Sequence, residues 1–360
     1  IKFDPLSNPE MATAADSISS RLFYAAGYHV PENYIVYFKP EQLELGPDVQ
    51  LADATGKKRK MTNRDIYEIL VKVPKDKQGR YRATASRGID GKPIGPPRYY
   101  GTRRDDPNDT VPHEHRRDQR GLHVFAAWLD HDDSRSINNF DALVKADGRQ
   151  FIRHYLLDFG STLGSASDKP NSPRSGAYFF SWKSAGKQLA TLGLAPPYWA
   201  FAKYKHFDSI GLFEGDVFDP ERWVAEYPNP AFLNRLPDDE FWAAKQVMAF
   251  TDDDIRAIVS TGELSDPEAA EYLTQCLIKR RDKIGKAYYA KVLPFDRFRV
   301  DANGTLAWDD LSGQVPDGKA TAWATENGVS VATVSAASRP KQTIRVYLRS
   351  GTIVGLERAW

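Results

Sequence analysis

Three short segments of the sequence carry side chains that could bind phosphate and a divalent cation. The first is the segment 131–138 (His-Asp-Asp-Ser-Arg-Ser-Ile-Asn), the second is Asp-Phe-Gly at 158–160, and the third is Lys2, followed by a helical pattern with Asp16. Mg²⁺ takes oxygen ligands, commonly one or two carboxylates together with phosphates and water. Phosphoryl transfer needs that metal and a carboxylate that orients the attacking hydroxyl. These residue types therefore favour phosphoryl-transfer chemistry.

A predicted β-hairpin brings two of these segments together. Residues 140–145 and 150–157 read as strands on either side of an Asp-Gly pair, which favours a tight turn. Because the strands are nearly equal in length, Asp158 is expected beside the loop that begins at Asp133. Within that loop, Asp133 and Asn138 can present a carboxylate and an amide oxygen to one pocket.

Lys2 and Asp16 are predicted to complete the site. A lysine on a neighbouring strand would contact phosphate, and an acid on the following helix would hold that lysine. Gly160 would let the backbone turn sharply away after Asp158. Taken alone, Lys2 is more often a solvated lysine and Asp16 more often an exposed helix residue, so both roles depend on the whole pattern.

The pattern His131-x-Asp133-x-x-x-x-Asn138, followed by a hairpin and Asp-Phe-Gly, resembles the catalytic and magnesium-binding loops of the protein-kinase-like superfamily. Upstream, the strand lysine, the helix acid and the segment 26–31 (Ala-Gly-Tyr-His-Val-Pro) are similar to the HipA-type and CotH-type atypical bacterial kinases. The resemblance covers the N-terminal part of the chain, residues 1–160.

The resemblance implies a Mg²⁺- and ATP-dependent phosphotransferase whose acceptor is open. Asp133 would be its catalytic aspartate, and His131 the structural histidine of the catalytic loop. The cofactors would be ATP and Mg²⁺. The residues implied to hold them are Lys2, Asp16 and Gly160 for the nucleotide, and Asn138 and Asp158 for the metal.

The expected fold class is α+β, in the two-lobed form of a protein kinase. Residues 1–110 would form a small sheet-plus-helix N-lobe and the hinge. Residues 111–295 would form a mainly helical C-lobe with the catalytic and metal loops, and residues 296–360 a β-rich C-terminal extension.

Hydrophobic periodicity predicts further elements around the motifs. A helix should begin at residues 8–10, with Asn8 as its N-cap, and should end near Gly27. Residues 91–109 should form an irregular, exposed loop. The other expected elements are strands over 34–38, 81–86 and after residue 296, helices over 62–73, 115–129, 239–250, 251–260 and 266–293, and irregular structure over 161–220.

The sequence also departs from the kinase pattern. Only one residue precedes Lys2, so either the chain is truncated at its N-terminus or the Gly-rich hairpin that covers the phosphates is absent. Asp132 stands where many protein kinases have arginine, and Asp16 where they have glutamate. These departures motivate a second hypothesis, a pseudokinase or accessory subunit that uses the fold as a scaffold. Its partner contact would be the aromatic-rich region 178–201.

Composition and charge reduce the number of protein classes to which the chain could belong. With 49 Lys+Arg against 48 Asp+Glu, the net charge of +1 argues against a nucleic-acid partner. No apolar run reaches the roughly 20 residues of a spanning helix, and the single Cys276 excludes an internal disulfide. A metal-dependent hydrolase site built from residues 113–115 and 131–133 is a third hypothesis. The resemblance to secreted kinases suggests a periplasmic, envelope-associated or secreted location.

Overall fold

The computed structural model describes residues 1–53, 55–173, 175, 182–194, 196–227, 229–313 and 318–359. The protein is mixed α/β, and its strands pair into several small antiparallel sheets. The helices are α1 (Met11–Ala25), α2 (Asn63–Leu70), α3 (Arg117–Leu129), α4 (Trp182–Ala190), α5 (Pro230–Leu233), α6 (Pro237–Met248), α7 (Asp252–Ser260) and α8 (Pro267–Tyr289). None of these described helices combines the length and the hydrophobicity that a membrane span requires.

The sheets are small, and most strands pair with the strand that precedes or follows them in the chain. The strands are β1 (Asn33–Phe38), β2 (Gln50–Ala52), β3 (Lys58–Lys60), β4 (Tyr81–Ser86), β5 (Lys92–Gly95), β6 (Asn139–Ala146), β7 (Arg149–Leu156), β8 (Phe295–Val300), β9 (Leu306–Asp310), β10 (Gly318–Ala320), β11 (Ala324–Glu326), β12 (Val329–Ser335), β13 (Thr343–Arg349) and β14 (Thr352–Ala359). The sheet orders are β1-β4, β2-β3, β5-β6-β7, β10-β9-β8 and β11-β12-β13-β14. The strands predicted over 34–38 and 81–86 and after residue 296 are therefore confirmed.

Asp4, which precedes helix α1 in the chain, caps the N-terminus of that helix. Asp4 accepts hydrogen bonds from Thr13 N at 2.8 Å and from Thr13 Oγ1 at 2.7 Å, so it satisfies a backbone N–H of the first turn. The prediction of Asn8 as the cap is wrong, because Asn8 donates to Asp208 O instead. The helix ends as expected, before Gly27 at a φ of 94°.

Helix α3 and the β6–β7 hairpin carry the predicted catalytic segments. The hairpin is confirmed, and its turn residues Asp147 and Gly148 both have positive φ, which suits the twist of paired strands. The predicted exposed loop over 91–109 is wrong in part, because β5 pairs with β6 there. Gly91 permits that approach, since a Cβ on it would lie 2.7 Å from Leu143 O.

The main hydrophobic core lies between α1, α3 and the helices after residue 230. The predicted helices over 239–250, 251–260 and 266–293 are confirmed as α6, α7 and α8. Trp128 on α3 is fully buried and donates its indole N–H to Leu277 O of α8 at 2.9 Å. The strands after residue 294 enclose a separate small core.

Two backbone segments meet closely behind the Asp-Phe-Gly motif. Gly164 has a φ of 74°, and its carbonyl accepts from Leu212 N at 2.9 Å. A Cβ added at Gly211 would lie 2.0 Å from Gly164 C. The glycines therefore allow the loop after Gly160 to be pinned against residues 211–212.

The variant Gly211→Ala should lower the free energy of unfolding by about 2–3 kcal/mol, because the new methyl group has no room without backbone movement. Urea denaturation measures the change. Gly186→Ala on α4, where a Cβ meets nothing within 4 Å, is the matched control and should leave stability unchanged or slightly raised. Equal stability of both variants would contradict the close contact.

Candidate functional site

The structure brings Lys2, Asp16 and Asp158 into one cluster. Lys2 Nζ lies 2.7 Å from Asp158 Oδ1 and 3.4 Å from Asp16 Oδ1. Lys2 is held by an antiparallel bridge, in which its N–H donates to Thr84 O of β4 at 2.9 Å and Thr84 N donates back. The predicted pairing of Lys2 with Asp16 is thus present in the structure, and Asp158 is a further partner of the lysine.

The cluster has a buried side and an exposed side. The Asp16 side chain is 1% exposed, whereas those of Lys2 and Asp158 are 43% and 46% exposed. Burial lowers the pKa of Lys2, but the charges of Asp16 and Asp158 outweigh it and raise that pKa. Burial also raises the pKa of Asp16, against the lowering effects of Lys2 and of the Phe159 N–H. A ligand can therefore reach the lysine and Asp158 from solvent.

Asp16 also fixes the backbone of the Asp-Phe-Gly motif. Its Oδ1 accepts from Phe159 N at 3.0 Å, while its Oδ2 is buried with no partner among the described residues. The Phe159 ring is buried and stacks on Phe23 of α1 with centroids 5.1 Å apart. Helix α1 therefore holds the motif through one hydrogen bond and one aromatic contact.

The sharp turn of the motif lies at Asp158 rather than at Gly160. Asp158 has left-handed backbone angles, with φ 61° and ψ 66°, whereas Gly160 has no positive φ. Gly160 is buried, and a Cβ on it would lie 3.0 Å from Ser167 Oγ. The predicted reason for this glycine is thus wrong: it permits close packing, and the turn is made by the aspartate.

Asn138 forms hydrogen bonds to the backbone of Asp133 and of the residue before Asp158. Its Nδ2 donates to the backbone oxygen of Asp133 at 2.8 Å, and its own backbone oxygen accepts from Leu157 N at 2.9 Å. The second bond places Asn138 beside the residue that precedes Asp158. Because Nδ2 is committed to the loop, the amide oxygen is the atom left to accept a hydrogen bond or to bind a cation.

His131 lies in the protein interior. It is 4% exposed, and its ring packs against Phe23 and Phe159. Burial lowers its pKa, against a hydrogen bond with the Ser161 backbone that raises it. The imidazole therefore lies beside the stacked pair of phenyl rings and away from solvent.

Arg135 is a functional candidate that the sequence reasoning missed. Its Nη2 lies 2.8 Å from Asp133 Oδ2, and its Nε contacts the other carboxylate oxygen. Its guanidinium also lies 4.6 Å from the centroid of the Tyr227 ring. An arginine two residues after the proposed catalytic aspartate was a readable signal, because guanidinium groups bind phosphate and carboxylate in this forked manner.

The segment 113–115, predicted as part of an alternative metal site, makes contacts of its own. His113 Nε2 lies 2.9 Å from Asp109 Oδ2. In the described part of the chain, no group of three or more His, Cys, Asp or Glu side chains is placed to hold a metal ion. Of the aromatic region 178–201, residues 178–181 lie outside the described residues.

The chain was compared with protein-family models, with curated proteins and with solved structures, and none of them matches it. The functional interpretation therefore depends on the geometry of the cluster.

Two substitutions of Asp16 should show how much its contacts with Lys2 and Phe159 contribute to stability. Asp16→Leu leaves Phe159 N without an acceptor and Lys2 with one carboxylate, so the free energy of unfolding should fall by about 2 kcal/mol. Asp16→Asn keeps an acceptor for Phe159 N and should lose less than half as much. Urea denaturation compares them with Asp253→Leu at an exposed position on α7, where the change should stay within about 0.5 kcal/mol. A Leu variant as stable as this control would contradict the role of Asp16.

Proposed function

We propose that the protein is a Mg²⁺- and ATP-dependent phosphotransferase of the atypical kinase type, with the two-lobed fold of that class. The observation that carries the proposal is the contact of 2.7 Å between Lys2 Nζ and Asp158 Oδ1, with Asp16 as the second partner of the lysine. The two ends of this contact are 156 residues apart in sequence. A half-exposed lysine between two carboxylates is a group that nucleotide phosphates can approach.

The donor set fits Mg²⁺. The Asn138 amide oxygen and the Asp158 carboxylate are hard oxygen ligands, and Mg²⁺ takes only one or two protein carboxylates when phosphates complete its shell. Asn138 and Asp158 would hold the metal, and Lys2 would bind the phosphates. When bound, the metal supplies positive charge that neutralises the phosphate oxygens.

Asp133 is proposed to orient the acceptor hydroxyl and accept its proton. Arg135 contacts both carboxylate oxygens of Asp133 in the structure, so it must turn partly away when an acceptor binds. In that position its guanidinium would be available to contact the phosphate being transferred, since a guanidinium binds phosphate in the same forked manner as it binds a carboxylate. His131 would hold the loop from behind.

A role as a docking scaffold is the second candidate function. Leu189, Leu192 and Leu194, on α4 and just after it, are 78%, 91% and 86% exposed. Three exposed leucines close together favour a contact with another protein. Transfer of phosphate from ATP to any acceptor would exclude a purely structural role.

Nucleotide binding tests the proposed metal site. Asp158→Ala should weaken Mg²⁺-dependent ATP binding by at least tenfold in isothermal titration calorimetry, because it removes a metal ligand. Asp168→Ala, an exposed carboxylate ten residues further along the chain, is the matched control and should bind ATP as the unaltered protein does. Equal ATP affinity for both variants would contradict the proposed site.

Phosphoryl transfer tests Asp133 separately. Asp133→Asn should keep ATP affinity within about twofold and should lower the transfer rate by about 10²–10⁴-fold, the range expected when a general base is lost. Labelled phosphate transferred from ATP to the protein itself or to added hydroxyl acceptors provides the measurement. A transfer rate unchanged by this substitution would rule out Asp133 as the base.

A further inference from the structure

A pair of buried carboxyl groups lies directly before the proposed catalytic aspartate. Asp130 is 4% exposed and Asp132 is 5% exposed. Ser175 Oγ lies 2.9 Å from Asp130 Oδ2 and 2.9 Å from Asp132 Oδ2, so one hydroxyl bridges the two carboxyl groups. Ser175 belongs to the segment 171–175, which follows the Asp-Phe-Gly loop in the chain.

The geometry of the bridge requires a shared proton. A serine hydroxyl has one hydrogen and can donate it to only one of its two carboxyl neighbours. The other contact, also at 2.9 Å, is favourable only if that carboxyl group is protonated and donates to Ser175 Oγ. Asn171 does not change this count, because its Nδ2 is a donor in both of its contacts, to Asp132 Oδ2 at 2.9 Å and to Ser175 Oγ at 3.1 Å.

The surrounding groups assign the proton to Asp132. Trp223 Nε1 donates to Asp130 Oδ1 at 2.8 Å, and Arg280 of α8 lines the same small cavity as Asp130. Asp132 faces Glu226 instead, whose backbone N donates to its backbone oxygen at 3.0 Å. The remaining titratable neighbours are Glu214 and Tyr204 in the cavity, and His131, Asp133 and Arg135 on the loop.

Burial and the nearby charge of Asp130 raise the pKa of Asp132 to about 7. The hydrogen bond that Asn171 donates to Asp132 opposes this shift, and the charge of Glu226 adds to it. Because this pKa lies above the ordinary carboxyl value of 3.8, the protonated pair stabilises the fold fully below that value. The contribution is lost as the pH rises through about 7.

We propose that Asp130, Ser175 and Asp132 form a proton-dependent latch, which holds Asn171 and Ser175 against the loop of Asp133 and opens as the pH rises through neutrality. When both carboxyl groups are ionised, they repel each other and one contact to Ser175 loses its hydrogen. Asn171 and Ser175 are then released from the loop. The latch stands independently of the proposed phosphotransferase activity, since it concerns only how two segments are joined.

Hydrogen exchange of the backbone amides of Asn171, Ser172 and Ser175 in this segment tests the latch at pH 6 and pH 8.5, with labelling times corrected for the intrinsic exchange rate. In the unaltered protein, protection should fall by about tenfold in total between these two values, because the effect of releasing one proton levels off above the closed-state pKa of about 7. Asp132→Asn should keep the segment protected at both values, because a neutral amide can donate to Ser175 Oγ. Ser175→Ala should leave it unprotected at both.

Asp168→Asn is the matched control, since it removes an exposed carboxylate near the segment and should show the pH response of the unaltered protein. Asp130→Asn serves as a second neutral variant, and it should also abolish the pH response. Protection that does not change with pH in the unaltered protein would overturn the proposal. So would an unchanged pH response in both Asn variants of the pair.

Discussion

The buried carboxylate of Asp16 is the interaction on which the candidate site depends. Through Oδ1 it contacts Lys2 at 3.4 Å and accepts from Phe159 N at 3.0 Å, so it joins the start of the chain to Phe159, which follows Asp16 by 143 positions. An ionised carboxylate in this position needs both partners, because an uncompensated buried charge costs several kcal/mol. The same carboxylate therefore sets where the lysine lies and where the Asp-Phe-Gly motif turns.

Apolar packing provides the frame for these polar contacts. Phe159 stacks on Phe23, and His131 packs against both rings, so helix α1, the loop that begins at His131 and the Asp-Phe-Gly motif share one aromatic cluster. Asp4 caps α1 from the segment that follows Lys2. The polar groups of the site are thus positioned by a packed interior, and the side chains of Lys2 and Asp158 remain exposed to solvent.

Local patterns in the sequence predicted much of this arrangement. The Asp147-Gly148 turn and the strand pattern around it indicated the hairpin, and apolar spacing indicated the long helices. The cap by Asp4, the turn at Asp158 and the strand β5 could not be predicted, because each depends on a partner or a packing contact far away in sequence or on a backbone angle that residue type favours only weakly. The Arg135 contact was within reach of local reasoning.

A crystal structure of the chain with Mg²⁺ and a non-hydrolysable ATP analogue would show whether the cluster around Asp16 binds nucleotide. We expect Lys2 Nζ to leave Asp158 Oδ1, from which it is separated by 2.7 Å here, and to contact a phosphate oxygen while still facing Asp16. We also expect a metal ion bound by the Asn138 amide oxygen and the Asp158 carboxylate. Nucleotide bound elsewhere, with the Lys2–Asp158 pair unchanged and no metal between residues 138 and 158, would contradict this expectation.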